Sequence, residues 1–312
     1  MKVNLTFYGG VNEIGGNKIL LQDRDTRIFL DFGMSFGRNN QFFAEFLKPR
    51  KCNCLGDFFA MGLLPDLPGV YRTDYLRHMG RKPEDRGVDA ILISHAHMDH
   101  VAYLNHLRDD IPLHMSPGTH AILKAIQETS QGPFDDYLEY TRSFEIRKKE
   151  RGEGYTRTKN EPIPRQVKID APSQKFKIGD TEIFPLPVDH SVPGSASYLI
   201  HTTEGTILYT GDLRFHGYAE EETREMIEKA KSEGVDLLLT EGTRIDQQRG
   251  TTESDVHDNA SELVKNTREL TVVNFPERDL ARFLTFHRIA VSTGRKLVIG
   301  FKQAKLLEEY QN

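Results

Sequence analysis

Residues 94–100 read Ser-His-Ala-His-Met-Asp-His, placing His95, His97, Asp99 and His100 close together in the chain. All four side chains can bind a metal ion. An apolar run over 88–93 precedes them, so the group stands where a strand ends. In extended backbone, side chains at i and i+2 point to the same side. His95 and His97 can therefore share one ion, while a turn after them aims Asp99 and His100 at a second position. Imidazole and carboxylate donors without thiolate suit Zn²⁺, with Mn²⁺ as the alternative. Core packing gives no reason to gather such groups, and a metal centre is the reading they favour.

A centre of this kind needs strands to hold it. The runs 3–8, 17–21, 27–31 and 88–94 have strand character, as do 181–188, 196–201 and 206–210, while 119–128 and 221–231 have helical composition. Other strand ends again carry ligand-type residues. Asp31 follows Ile28-Phe29-Leu30, His190 lies in Pro187-Val188-Asp189-His190-Ser191, and Asp212 closes Leu208-Tyr209-Thr210-Gly211-Asp212. The glycine pairs of Gly9-Gly10-Val11-Asn12-Glu13-Ile14-Gly15-Gly16-Asn17 lack nucleotide-loop spacing and read as tight turns near the metal cleft. Residues 34–86, rich in Gly, Pro and aromatics, read as irregular, with 62–66 a surface insertion. After Asp236-Leu237-Leu238-Leu239-Thr240-Glu241 the pattern alternates. Helices are expected over 253–266, 278–292 and 303–310 and strands over 270–275 and 296–301, which predicts a parallel, doubly wound layer.

Taken in order, these motifs resemble those of the metallo-β-lactamase superfamily. The glycine-rich opening is similar to that of its β-CASP nuclease branch, in particular the ribonuclease J-like group, and the resemblance runs from about residue 3 to the C-terminus. It implies an α/β fold: a metallo-β-lactamase αββα sandwich over 1–241, then the start of a doubly wound β-CASP domain over 242–312. It implies one Zn²⁺ on His95, His97 and His190 and a second on Asp99, His100 and Asp212, with Asp212 bridging and a water between the ions as nucleophile. Asp99 would also orient that water, Asp31 would hold the metal loop by hydrogen bonds, and Glu241 would orient a ligand or the leaving-group acid. The implied activity is hydrolysis of single-stranded RNA, 5′→3′ exonucleolytic with endonucleolytic cleavage as well, on 5′-monophosphorylated substrates. A cytoplasmic setting and a homodimer go with it. Competing readings are a small-molecule hydrolase of the same fold and an inactive fragment completed by another chain. The family carries further histidines past this region, whereas only His257 and His287 follow His216 here. The chain is therefore expected to stop within the β-CASP domain, to bind the second metal weakly, and to cleave RNA more slowly than a longer chain.

Composition sets outer bounds. With 312 residues, 38% hydrophobic content and mean hydropathy −0.53, no run approaches the roughly 18 apolar residues that span a bilayer. The strand pattern at the N-terminus leaves no room for a signal peptide. Cys52 and Cys54 are too close in sequence for a good disulfide and read as reduced, cytosolic thiols. Net charge −5 gives no overall attraction for nucleic acid. The segment 142–177 nevertheless collects Arg142, Arg147, Lys148, Lys149, Arg151, Arg157, Lys159, Arg165, Lys168, Lys175 and Lys177, with Phe144 and Tyr155 among them. It reads either as a solvated excursion broken by Gly152, Gly154, Pro162 and Pro164, or as a phosphate-attracting arm. His78, His106, His114, His120 and His201 read as ordinary surface or core residues, and His216 stands nearest to a site role. Arg278 and Arg282 read as solvated positions where a helix opens.

Overall fold

The computed structural model describes residues 2–130, 138–246 and 250–311. Its strands are β1 Asn4–Gly9, β2 Lys18–Asp23, β3 Thr26–Leu30, β4 Ala90–Leu92, β5 Leu113–Met115, β6 Tyr140–Lys148, β7 Tyr155–Pro164, β8 Val167–Ile169, β9 Phe176–Ile178, β10 Thr181–Pro187, β11 Ala196–Thr202, β12 Gly205–Tyr209 and β13 Leu237–Leu239. The helices are α1 Phe36–Phe42, α2 Gly56–Ala60, α3 Thr73–His78, α4 Met98–Val101, α5 Pro117–Thr129, α6 Glu220–Glu233, α7 Glu253–Asn266, α8 Leu280–Ser292 and α9 Phe301–Gln311.

One sheet has the order β1-β2-β3-β4-β5-β8 and a second the order β13-β12-β11-β10-β9. Strand alternation explains how they stack. Ile19, Leu21, Ile28, Leu30, Ala90 and Leu92 face Ile183, Tyr198, Ile200, Ile207 and Tyr209 of the second sheet, forming a buried layer between the two. The opposite residues of the first sheet, Leu20, Phe29, Ile91 and Leu113, pack on the α5 residues Ile122, Leu123 and Ala125. Phe184, Leu186, Leu199 and Leu208 of the second sheet pack on Met226 and Ala230 of α6. The layers are thus α, β, β and α, as expected. Strands buried on both faces read as continuous apolar runs, which is why 28–30 and 91–93 carry no polar residue.

Several elements differ from expectation. Residues 34–86 are not irregular throughout, and 62–66 is not a surface insertion: α1, α2 and α3 lie in the stretch, and Leu55, Phe58, Leu63, Leu64, Tyr71, Tyr75 and Leu76 are buried in the main core. Turn-rich composition hid them because each helix is too short to show a 3.6-residue period. The basic segment is regular as well. β6 and β7 form a two-stranded antiparallel ribbon, with Pro162 and Pro164 tolerated where no further strand needs their missing N–H. Arg165 is buried, its Nη1 donating to the Leu104 carbonyl at 2.9 Å, so it cannot meet a phosphate. Arg157 lies over the Phe144 ring, 3.6 Å from its centroid.

Helices α7, α8 and α9 stand where expected, but residues 270–275 and 296–300 form no ladder among the described residues. Alternation alone does not make a strand; a hydrogen-bonded neighbour does, and Val272 and Val298 are 80% and 90% exposed. Leu306 of α9 is buried in the same core cluster as Leu123 of α5, with Lys124 bonded to Glu309 at 2.8 Å. Among the described residues no helix is long and apolar enough to cross a membrane.

Candidate metal centre

The centre grows from the end of β4. Asp31, just past β3, turns the chain through a left-handed conformation (φ 56°) and is fully buried. Its carboxylate accepts from the Ser94 amide and the Ser94 hydroxyl, both at 2.7 Å, from Tyr209 Oη at 2.6 Å, and from His100 Nδ1 at 2.7 Å. These bonds fix the first residue of the His-rich loop and one of its ligands together. His97 is still extended, and α4 begins at Met98, so the helical turn swings Asp99 and His100 away from the first pair.

The loop bears on the N-terminal glycine turn. Gly16 and Asn17 amides donate to the Asp99 carbonyl at 3.0 and 3.1 Å. Gly15 adopts φ 73°, and a Cβ there would lie 2.3 Å from Asp99 Cβ. At Gly33 a Cβ would lie 1.6 Å from the Asp99 carbonyl oxygen. Backbone cannot yield as a flexible side chain can, so Gly33→Ala should displace the loop. The expected cost is at least about 3 kcal/mol, read by urea melts against the parent, with loss of bound metal in parallel.

The sequence-predicted residues converge. His95 Nε2 lies 3.0 Å from His97 Nδ1, and His190 Nε2 lies 3.1 Å from the same nitrogen. Asp212 Oδ2 is 3.8 Å from His95 Nε2 and 3.7 Å from His190 Nε2. On its other side Asp212 Oδ1 is 3.3 Å from His100 Nε2, which lies 3.8 Å from Asp99 Oδ2. Two ligand sets result, His95–His97–His190–Asp212 and Asp99–His100–Asp212, sharing Asp212. Tetrahedral donors about 2.0–2.1 Å from one Zn²⁺ stand about 3.3 Å apart, close to the spacing seen here. The outward ring nitrogens are tied in turn: His95 Nδ1 to Ser94 Oγ at 3.0 Å, His97 Nε2 to Ser191 Oγ at 3.4 Å, and His100 Nδ1 to Asp31.

Electrostatics differ between the two ligand sets. Burial, with the neighbouring imidazoles, pushes His95 well below the usual histidine range and His97 down to about 3. Burial also lowers His190 to about 4, although Asp212 opposes it. These rings are neutral at physiological pH and present lone pairs. Burial works against charge on His100, but Asp31 and Asp212 outweigh it and hold the ring well above the ordinary value. Burial raises the Asp99 carboxyl, with the charge of Asp212 adding to it. Burial opposes the Asp212 charge too, yet His100 and the other imidazoles hold that carboxyl low.

Glu241 lies beside the cluster, and its Oε1 accepts from the Leu213 amide at 3.0 Å. It braces the Asp212 turn and, with Asp99 and Asp212, lines a cavity of about 730 Å³. His216 joins neither ligand set. The other histidines have local partners: His78 the Phe144 carbonyl, His114 Asp170, His120 Glu139 and His201 Thr206, while His106 is buried among aromatic rings. Arg278 and Arg282 are not solvated positions. Arg278 Nη1 donates to the Ala96 carbonyl inside the metal loop at 2.8 Å, and Arg282 pairs with Glu253 at 2.9 Å. Cys52 and Cys54 are free, and burial raises the Cys54 thiol to about 11.

Sequence reasoning missed three supports. Tyr209 reaches Asp31 from 178 residues away. Buried Asp189 accepts from Arg214 Nε at 3.1 Å and the Gly217 amide at 2.8 Å, joining the His190 turn to the segment after Asp212. Buried Lys18 donates to the Gly16 and Gly33 carbonyls, each at 2.8 Å. Only Lys18, set in a strand just behind a glycine pair, left a local signal.

Comparison with known proteins places this geometry. The sequence profile of the β-lactamase superfamily domain matches residues 65–275. Ribonuclease J of Helicobacter pylori (strain ATCC 700392 / 26695) is 25% identical over 315 residues, covering 98% of this chain and 37% of that protein. Ribonuclease J of Mycobacterium tuberculosis (strain ATCC 25618 / H37Rv) is 23% identical over 302 residues, covering 95% and 44%. Ribonuclease J of Pyrococcus abyssi is 28% identical over 187 residues, covering 56% and 36%. The chain thus spans less than half the length of each of these relatives. A crystal structure of a protein of unknown function from Enterococcus faecalis V583 superposes with a TM-score of 0.73 at 27% identity, covering 99% of this chain and 68% of that one.

Proposed function

The chain belongs to the β-lactamase superfamily, and from that premise we propose that it carries the catalytic centre of a metal-dependent ribonuclease. The observation that carries this reading is the pair of ligand sets sharing Asp212. The ribonuclease J relatives add support for RNA as substrate. Zn²⁺ is the ion the imidazole and carboxylate donors suit, with Mn²⁺ as alternative. His95, His97 and His190 would hold one ion, Asp99 and His100 the other, and Asp212 both. Metal ions there supply Lewis-acid charge to a phosphoryl oxygen and acidify an attacking water.

The protein's own part is positional. Asp99 orients the attacking water along the 730 Å³ cavity it lines. Asp31 locks the loop and sets which His100 nitrogen faces the ion. Glu241 keeps the Asp212 turn in place through the Leu213 amide and would orient a ligand or the leaving-group acid. The finer reading is 5′→3′ exonucleolytic degradation of 5′-monophosphorylated, single-stranded RNA in the cytoplasm, with endonucleolytic cleavage as well. Residues 242–312 would open a β-CASP domain, and the protein would work as a homodimer.

Metal-loaded protein should shorten single-stranded RNA and leave β-lactams and thioesters intact, as read by gel and by absorbance. Hydrolysis of a β-lactam or thioester without RNA cleavage would move the chain to the small-molecule branch of the superfamily.

A further inference from the structure

The peptides that carry the His-rich loop are held in two different ways. Ala196 donates to the Ser94 carbonyl at 2.9 Å, and His100 and Val101 donate to the His97 carbonyl at 3.0 and 3.1 Å, all through backbone amides. The carbonyl of fully buried Ala96, between His95 and His97, instead accepts from Arg278 Nη1 at 2.8 Å, across 182 positions of sequence. That peptide sets the spacing of the two rings, whose facing nitrogens stand 3.0 Å apart.

Arg278 stands where α8 opens. Asp279 caps the helix by accepting from the Arg282 amide at 2.9 Å, and Leu280 packs on the main core. The helices here are lightly anchored. Among the described residues α8 buries Thr285 and Ile289, and α9 buries Leu306. A cavity of about 80 Å³ remains where Arg278 meets Ile126 of α5 and Leu306 of α9. Polar contacts carry much of the docking: Arg282 on Glu253 at 2.9 Å, Lys124 on Glu309 at 2.8 Å and Lys305 on Glu128 at 2.8 Å. Elements with few buried apolar side chains open locally at small cost in free energy, so one hydrogen bond shifts their docking measurably.

We infer that Arg278 is a positioning residue for the ligand set His95–His97–His190–Asp212 and couples its occupancy to the docking of α8. The inference rests on the metal reading above and is independent of the substrate. With the Ala96 carbonyl held, His95 and His97 keep the orientation a shared ion needs. With the ion bound, that carbonyl is fixed where Arg278 reaches it. By linkage, each event favours the other by the same factor. The guanidinium charge opposes a nearby cation, but Arg278 is half-buried and in contact with solvent, which screens the repulsion more than it weakens the short bond.

The test reads metal and helix separately. Zn²⁺ is titrated into the metal-free 312-residue chain against a competing chromophoric chelator, and amide hydrogen exchange over α8 is followed with and without Zn²⁺. Arg278→Ala should bind Zn²⁺ about tenfold more weakly than the parent. Zn²⁺ should slow α8 exchange about fivefold in the parent and leave it unchanged in Zn²⁺-saturated Arg278→Ala. Arg278→Lys, which keeps the charge on a shorter, single-headed donor, should fall between the two. Thermal melts check that both variants fold. A residue that merely braces the fold would change the melts and the resting exchange but not the response to Zn²⁺. A parent that binds no Zn²⁺ removes the metal reading and the coupling with it. If the parent binds Zn²⁺, unchanged affinity and an unchanged α8 response in both folded variants overturn the coupling alone.

Discussion

Asp99→Ala is expected to abolish RNA cleavage, by roughly a thousandfold or more, while the folded protein melts no lower than its parent. The two halves of that expectation have different origins. The Asp99 carboxylate stands between the glycine turn and the ligand set containing His100 and Asp212, so its removal takes away a donor and the group that orients water. It is also a half-buried acid next to another acid, and desolvation raises its pKa. In metal-free protein such a group destabilises the fold, and alanine removes that cost. The backbone bonds from Gly16 and Asn17 to the Asp99 carbonyl survive the substitution. A large fall in melting temperature would show that Asp99 is structural. Retained cleavage would show that the reacting water is oriented elsewhere.

The second large effect is expected at Asp31, on stability. Asp31→Ala leaves the Ser94 amide, the Ser94 hydroxyl, Tyr209 Oη and His100 Nδ1 without their buried acceptor, and it places alanine at a φ of 56°. Stranded buried donors at about 1–3 kcal/mol each, even with partial relaxation, predict a loss of about 4 kcal/mol or more in urea unfolding. Asp31→Asn keeps the shape but removes the charge facing His100, and should fall between alanine and the parent. A loss under about 1 kcal/mol for the alanine variant would show that these bonds are replaceable.

Much of this centre is legible along the chain because its key residues are local or sit at strand ends. His95, His97, Asp99 and His100 arise from one strand and one turn. Asp31, His190 and Asp212 each close an apolar run, where the chain must leave the sheet and side chains gather at its edge. The αββα layering follows from strand runs without polar interruption, such as 28–30 and 91–93. What was hidden depends on partners far away in sequence. Tyr209 looks like any core tyrosine until Asp31 is opposite its hydroxyl. Asp189 looks like a spacer before His190 until Arg214 folds onto it. Residues 34–86 look irregular because their burial comes from single residues such as Leu64 and Tyr71 rather than a repeated face. The reverse error occurs at 270–275 and 296–300, where alternation is clear but no neighbouring strand lies among the described residues.

The central claim is that His95, His97, His190 and Asp212 hold a metal ion. Elemental analysis of purified parent and His97→Ala proteins, dialysed against the same metal-free buffer, tests it most directly. His97 Nδ1 is the nitrogen that both His95 and His190 approach, at 3.0 and 3.1 Å, so its loss opens the set at its centre. The parent should retain zinc or manganese and His97→Ala should lose most of it; equal metal in the two proteins would contradict the account.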